Sequence, residues 1–155
     1  MLEMFTDGAA RGNPGKGGFA TVLIHPKKKL EIVKAFRHTT NNRMELMAVI
    51  AGLEALTKDG CEVKIYSDSK YVVDAIEKGW LFSWLKKPDF AKKKNPDLWN
   101  KFYTYYKKHK ITMIWVKGHA DNPLNNYCDI LATQAADNGP YHTDEIYERE
   151  TKLFS

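Results

Sequence analysis

Three early stretches of the chain are rich in apolar and β-branched residues, after which the period changes. LEMFTD (residues 2–7), FATVLIHP (19–26) and LEIVKAFRH (30–38) predict strands. Asp7-Gly8 closes the first as a turn, and Pro26 with its lysines joins the second to the third. From Asn41 the apolar positions Met44, Met47, Val49, Ile50, Leu53 and Leu56 mark a broad helical face, which Asp59-Gly60 ends. CEVKIYSD (61–68) returns to strand and SKYVVDAIEKGW (69–80) to helix. Residues 81–94 form a lysine-rich loop or short helix, NPDLWNKFYTYYKKH (95–109) a helix opened by Asn95-Pro96, and ITMIWVKG (111–118) a last strand. NPLNNYCDILATQAADNG (122–139) is a last helix, with Asn122 as N-cap and Pro123 in its first turn. Residues 140–155 are polar without a clear period and predict a tail or short helix. Three consecutive strands followed by alternating strands and helices predict an α/β fold with one mixed sheet and helices on its faces.

Length and composition add bounds. A chain of 155 residues suits one domain, and no apolar run reaches the ~20 residues a membrane span needs. Cys61 and Cys128 are the only cysteines, too few for a disulfide framework, so a reducing, cytoplasmic setting is expected. The net charge of +5 is uneven: residues 78–110 hold ten lysines against Asp89 and Asp97. Such a segment suits either a polyanionic partner or a solvated, lysine-rich surface.

FTDGAARGNPGKGG (5–18) packs five glycines behind one aspartate. As a phosphate loop it fails, because Ala10 and Gly17 occupy positions that need glycine and a hydroxyl. As a dinucleotide fingerprint it fails too, because FATVLI continues as strand where a helix is required. The glycines then serve a tight connection between strands, and Asp7 becomes the residue to explain. Asp68 ends its strand in the same way, and two such carboxylates at one sheet edge repel unless a cation lies between them. Glu45 either joins them from the first helix or completes a capping box with Asn42. Asp129 either joins them from the last helix or is an ordinary rim residue. Together the four offer hard oxygen ligands for two Mg²⁺ ions, a pair that activates water in phosphodiester hydrolysis. His119, after Lys117-Gly118, is either a proton carrier or a plain loop histidine.

The strings FTDGAARGNPGKGG, TTNNRMELMA, YSDSKYV, VKGHADNP and NNYCDILA together resemble the type 1 ribonuclease H (ribonuclease HI) family, over about residues 3–138. That resemblance implies a ribonuclease H-like fold with a five-stranded sheet, three strands antiparallel and the rest parallel. A single catalytic domain would span 1–139, with a basic protrusion at about 78–95 and a tail at 140–155 that lacks a family counterpart. The implied activity is endonucleolytic cleavage of the RNA strand of an RNA/DNA hybrid, without sequence preference, leaving 5′-phosphate and 3′-hydroxyl ends. By the same resemblance Asp7, Glu45, Asp68 and Asp129 are the catalytic, Mg²⁺-binding quartet, with Mn²⁺ as a substitute, and His119 assists proton transfer or product departure. Asn13, Asn41 and Asn42 would contact the hybrid in its minor groove, the glycine-loop backbone at Gly8 and Glu45 would address 2′-hydroxyls near the cut, and Lys70 and Tyr71 would also bind the hybrid. Thr40 and Asn95 would hold a DNA phosphate, and Trp80, Trp84, Lys86, Lys87, Lys92, Lys93 and Lys94 would grip the DNA strand. A second reading makes Trp80 and Trp84 core residues. The chain departs from the family at Lys70, often glutamine or apolar there, at His38, often arginine, and in a shortened segment between Trp84 and Asn95. A monomer acting on a hybrid duplex, with no membrane partner, completes the expectation. A non-catalytic binding module and a nuclease of the same superfold with another substrate are the competing classes. The acidic quartet disfavours the first, since binding alone gains nothing from negative charge facing phosphates.

Overall fold

A computed structural model of the chain describes residues 1–89, 94–117 and 122–153. Its strands are β1 (Leu2–Arg11), β2 (Gly15–His25), β3 (Lys28–Thr39), β4 (Glu62–Ser67), β5 (Lys110–Trp115) and β6 (Tyr141–His142). Its helices are α1 (Asn41–Glu54), α2 (Lys70–Glu77), α3 (Trp80–Leu85), α4 (Pro96–Tyr106), α5 (Pro123–Asn138) and α6 (Glu145–Leu153). The strands form one mixed sheet in the order β5-β4-β1-β2-β3-β6. β1, β2 and β3 run antiparallel in sequence, whereas β4 joins β1, and β5 joins β4, in parallel.

Alternation along the central strands sends neighbouring side chains to opposite faces. Met4, Leu23, Val63 and Ile65 face one side, where Leu46, Val49, Leu53, Val72, Trp99 and Phe102 from the helices cover them. Phe5, Ala20 and Val22 face the other side and meet Cys128 and Ala132 of α5. Both faces are therefore buried, as the mixed-sheet reading requires.

Three expectations change. β1 does not stop at Asp7 but continues to Arg11, pairing Ala9 with Gly18 and Arg11 with Lys16. The glycine-rich stretch is thus a hairpin whose connection shrinks to Gly12, Asn13 and Pro14. α1 ends at Glu54, with Ala55 as its C-cap, rather than running to Asp59-Gly60. Finally, among the described residues the sheet has six strands, not five. The segment read as a polar tail pairs Tyr141 with Ala35 and His142 with Phe36 before entering α6. Two residues of strand leave no period to detect, and their placement depends on a buried Asp144 over a hundred positions from its partners.

Candidate functional site

Asp7 sits where the sheet opens. β1 and β4 pair only as far as Phe5 and Tyr66, and the two strands part beyond that point. The buried Asn125 amide fills the gap, donating to the carbonyls of Thr6 (3.1 Å) and Tyr66 (3.2 Å). This bond fixes the start of α5 against the sheet one helical turn before Asp129. Asp68 follows the end of β4, and Ser69 behind it caps α2 by accepting from the Val72 amide.

Glu45 reaches the same place because α1 lies very close to β1. A Cβ on Gly8 would collide with the backbone of Met44 and Glu45, so only glycine permits this approach. Gly18 does the same for α5, where a Cβ would meet the Ala132 carbonyl and the Ala136 amide. The glycines thus admit helices rather than a ligand. The capping box does not form: Thr40 is the N-cap and its hydroxyl accepts from the Arg43 amide, which leaves Glu45 free of capping duty.

Carboxylate oxygens of Asp7, Glu45 and Asp68 lie within 4.8 Å of one another. Asp129 lines the same open cavity of about 530 Å³, beside Gly8, Asn41 and Asn42. Asp7 and Glu45 are each only 4% exposed. Burial, and next the Asp68 charge, push the Asp7 carboxyl up to about 8. Burial and then Asp7 raise Glu45 well above the usual carboxylate range. Among the described residues, Glu45 Oε1 is buried without a hydrogen-bond partner. Mutually repelling, desolvated carboxylates with an orphaned oxygen fit a hard divalent cation.

Other expected residues fall into three groups. Asn41, Asn42, Lys70 and Tyr71 border the cavity. Asn13 Oδ1 accepts from the Asn41 amide at 3.2 Å, holding the glycine hairpin against α1. Asn95 adopts a left-handed conformation (φ 60°) ahead of α4. Its amide is held at both ends, Oδ1 by Arg43 and Nδ2 by the Tyr71 hydroxyl. In the lysine-rich segment Lys86, Lys87 and Lys94 are exposed. Trp80 is 46% exposed with Lys78 over its ring, whereas Trp84 packs edge-on to Trp99 against the core. His119, Lys92 and Lys93 lie outside the described residues.

Structure adds residues that the sequence reading missed. Arg43 is buried and donates to both oxygens of Asp97 (3.0 and 2.7 Å) and of Asp144 (2.7 and 2.9 Å). Burial alone would lower its pKa, but the two carboxylates reverse that and raise it. Trp115, at the end of β5, donates its indole N–H to the Asp68 carbonyl at 3.2 Å. Asn125 alone carried a signal, since it sits four positions before Asp129 on one helical face.

Comparison with known proteins decides the family. The sequence profile of the RNase H family matches residues 1–137. The chain belongs to the ribonuclease H family. Among curated relatives, the Ribonuclease H of Rippkaea orientalis is 48% identical over 151 residues, covering 95% of this chain and 92% of that one. That of Chlorobium phaeobacteroides is 51% identical over 141 residues, covering 88% and 96%. Among solved structures, LC9-RNase H1, a type 1 RNase H with the type 2 active-site motif, superposes with a TM-score of 0.76 at 26% identity. The match covers 88% of this chain and 72% of that one. LC11-RNase H1, solved in complex with an RNA/DNA hybrid, shares the fold with a TM-score of 0.64 at 24% identity, covering 88% and 97%. As a ribonuclease H, the chain is a nuclease and a phosphodiester hydrolase. Among the described residues no helix is long and apolar enough to cross a membrane.

Proposed function

We propose that this ribonuclease H cuts the RNA strand of RNA/DNA hybrids by two-metal-ion catalysis, leaving 5′-phosphate and 3′-hydroxyl ends. The observation that carries the reading is the cluster of Asp7, Glu45 and Asp68, with Glu45 Oε1 left without a partner among the described residues. The hybrid seen on the fold neighbour LC11-RNase H1 supports the substrate class.

Asp7, Glu45, Asp68 and Asp129 would hold two Mg²⁺ ions. Bound there, Mg²⁺ supplies an activated water and neutralises charge growing at the scissile phosphate. The protein's own contribution is placement. Gly8 donates its amide to Asp7 Oδ1 at 2.9 Å, which orients that carboxylate. α1 delivers Glu45 with a helix's rigidity, and Asn125 fixes the helix that carries Asp129. Asn13, Asn41 and Asn42 offer short amides to a wide, shallow minor groove, where 2′-hydroxyls distinguish RNA from DNA without reading sequence. Thr40 and Asn95 hold a phosphate of the DNA strand. The lysines of the 78–95 segment, with Trp80, grip that strand further along. His119 carries the proton to the departing 3′-oxygen or assists product release.

The test is direct. End-labelled RNA/DNA, RNA/RNA, DNA/DNA and single-stranded RNA are incubated with and without Mg²⁺. Cleavage confined to the RNA of the hybrid, dependent on Mg²⁺ and lost in Asp7→Asn, is expected. Cleavage of RNA/RNA at an equal rate, or cleavage by Asp7→Asn, refutes the reading.

A further inference from the structure

Lys70 occupies an unfavourable place for folding. It is the first residue of α2, where the helix presents its positive end and an acidic side chain would be the stabilising choice. The residue is exposed, and its ammonium is turned onto a neighbouring ring. Nζ lies 4.5 Å from the centroid of the Trp115 ring, over its face. The same ring donates its N–H to the Asp68 carbonyl, and the Val116 amide bonds to Ser67 one step away. Trp115 is itself 40% exposed, a large indole left open at the sheet edge. A cation thus rests on an aromatic face, and Lys70 borders the cavity that Asp68 and the other acids line.

We propose that Lys70, held by Trp115, is a phosphate clamp for the RNA strand adjacent to the cleaved linkage. The inference rests on the hybrid-nuclease reading above and assigns that site a contact of its own. An ammonium is a compact point charge suited to a phosphate oxygen. Packing on the indole limits the lysine's rotamers, so less freedom is lost when the phosphate arrives. The clamp acts on binding, because it meets a phosphate that does not react.

Cleavage of a short hybrid is measured as KM and kcat across a KCl series at saturating Mg²⁺, for wild type, Lys70→Gln, Lys70→Arg, Trp115→Phe and Trp115→Leu. Lys70→Gln raises KM about five- to tenfold near 0.1 M salt and flattens the plot of log(kcat/KM) against log[KCl] by about one unit. Lys70→Arg restores both. Trp115→Phe, which keeps an aromatic face, stays close to wild type in KM. Trp115→Leu raises KM severalfold and retains most of the salt slope, since the charge remains but is no longer held. A Lys70→Gln enzyme with wild-type KM and slope overturns the clamp, and so does one whose loss falls on kcat alone. Wild-type protein that leaves the hybrid intact removes the parent reading and the clamp together, whereas an active wild type matched by Lys70→Gln removes only the clamp.

Discussion

Replacing Asp7 by asparagine removes one charge from the acidic cluster and keeps its shape, because the amide oxygen can still accept from the Gly8 amide. Without a cation, this substitution stabilises the protein at alkaline pH. The Asp7 carboxyl is raised from 3.8 to about 8 in the folded chain, by burial and then by Asp68. A folded state with the higher pKa binds the proton more tightly than the unfolded chain. Stability therefore falls as pH climbs from about 4 to about 8, and the full penalty is felt above that. One unit corresponds to about 1.4 kcal/mol, so the whole shift sets a ceiling of about 5–6 kcal/mol. Glu45 shares the same protons and still faces Asp68 in the variant, so roughly half of that, about 2–3 kcal/mol, is recovered. For a chain of this size that is about 5–10 °C in Tm. Melting is followed by circular dichroism in EDTA at pH 5 and pH 8.5, then at pH 8.5 with Mg²⁺. Asp7→Asn melts higher than wild type at pH 8.5, the difference closes towards zero at pH 5, and Mg²⁺ raises wild type far more than the variant. A variant no more stable than wild type at pH 8.5 in EDTA would show that the carboxylates do not crowd one another.

Gly8→Ala forces a methyl group into the Met44–Glu45 backbone, so α1 retreats from β1. We expect a loss of about 1–3 kcal/mol in urea unfolding and a fall in kcat of about 100-fold, and wild-type turnover would refute the close-approach argument. Asp144→Ala leaves Arg43 buried with only Asp97 of its two carboxylate partners, and urea titration should register a loss of about 3 kcal/mol. A change under 1 kcal/mol would mean that the pairing contributes little. His119→Ala should slow hybrid cleavage without abolishing it, and a defect as deep as that of Asp7→Asn would contradict an auxiliary role for the imidazole.

The sequence disclosed the acids more readily than the devices that gather them. Asp7 and Asp68 stand out because each comes at the end of an apolar stretch that reads as strand. Glu45 was ambiguous, since Asn42 at its capping-box spacing offered a local explanation that Thr40 removes in the structure. Gly8 and Gly18 were visible as glycines, but their use was not, because it depends on which helix returns to lie against them. The least legible element was the C-terminal segment. Its two-residue strand has no periodicity, and Asp144 meets Arg43 across 101 positions of sequence. Local pattern carries no information at that separation.

α1 holds two buried ionisable side chains two residues apart, Arg43 and Glu45, and the fold treats them oppositely. Arg43 is satisfied by carboxylates from α4 and from the segment before α6. Glu45 has an oxygen without a partner among the described residues and two carboxylate neighbours. A polar atom left unpaired in this way costs about 1–3 kcal/mol. The helix could relieve it by rotating or withdrawing, were Arg43 not fixed on its other flank by bonds to two elements far away in sequence. We expect the satisfied cluster to keep the unsatisfied one from relaxing. A double-mutant cycle tests this in metal-free buffer at pH 8.5. Glu45→Gln alone should stabilise the protein, as Asp7→Asn does. In an Asp144→Ala background, where α1 has room to adjust, the same substitution should stabilise it distinctly less. Effects that add to within about 0.3–0.5 kcal/mol would show that the two clusters are independent, and that the acids stay together without help from the buried arginine.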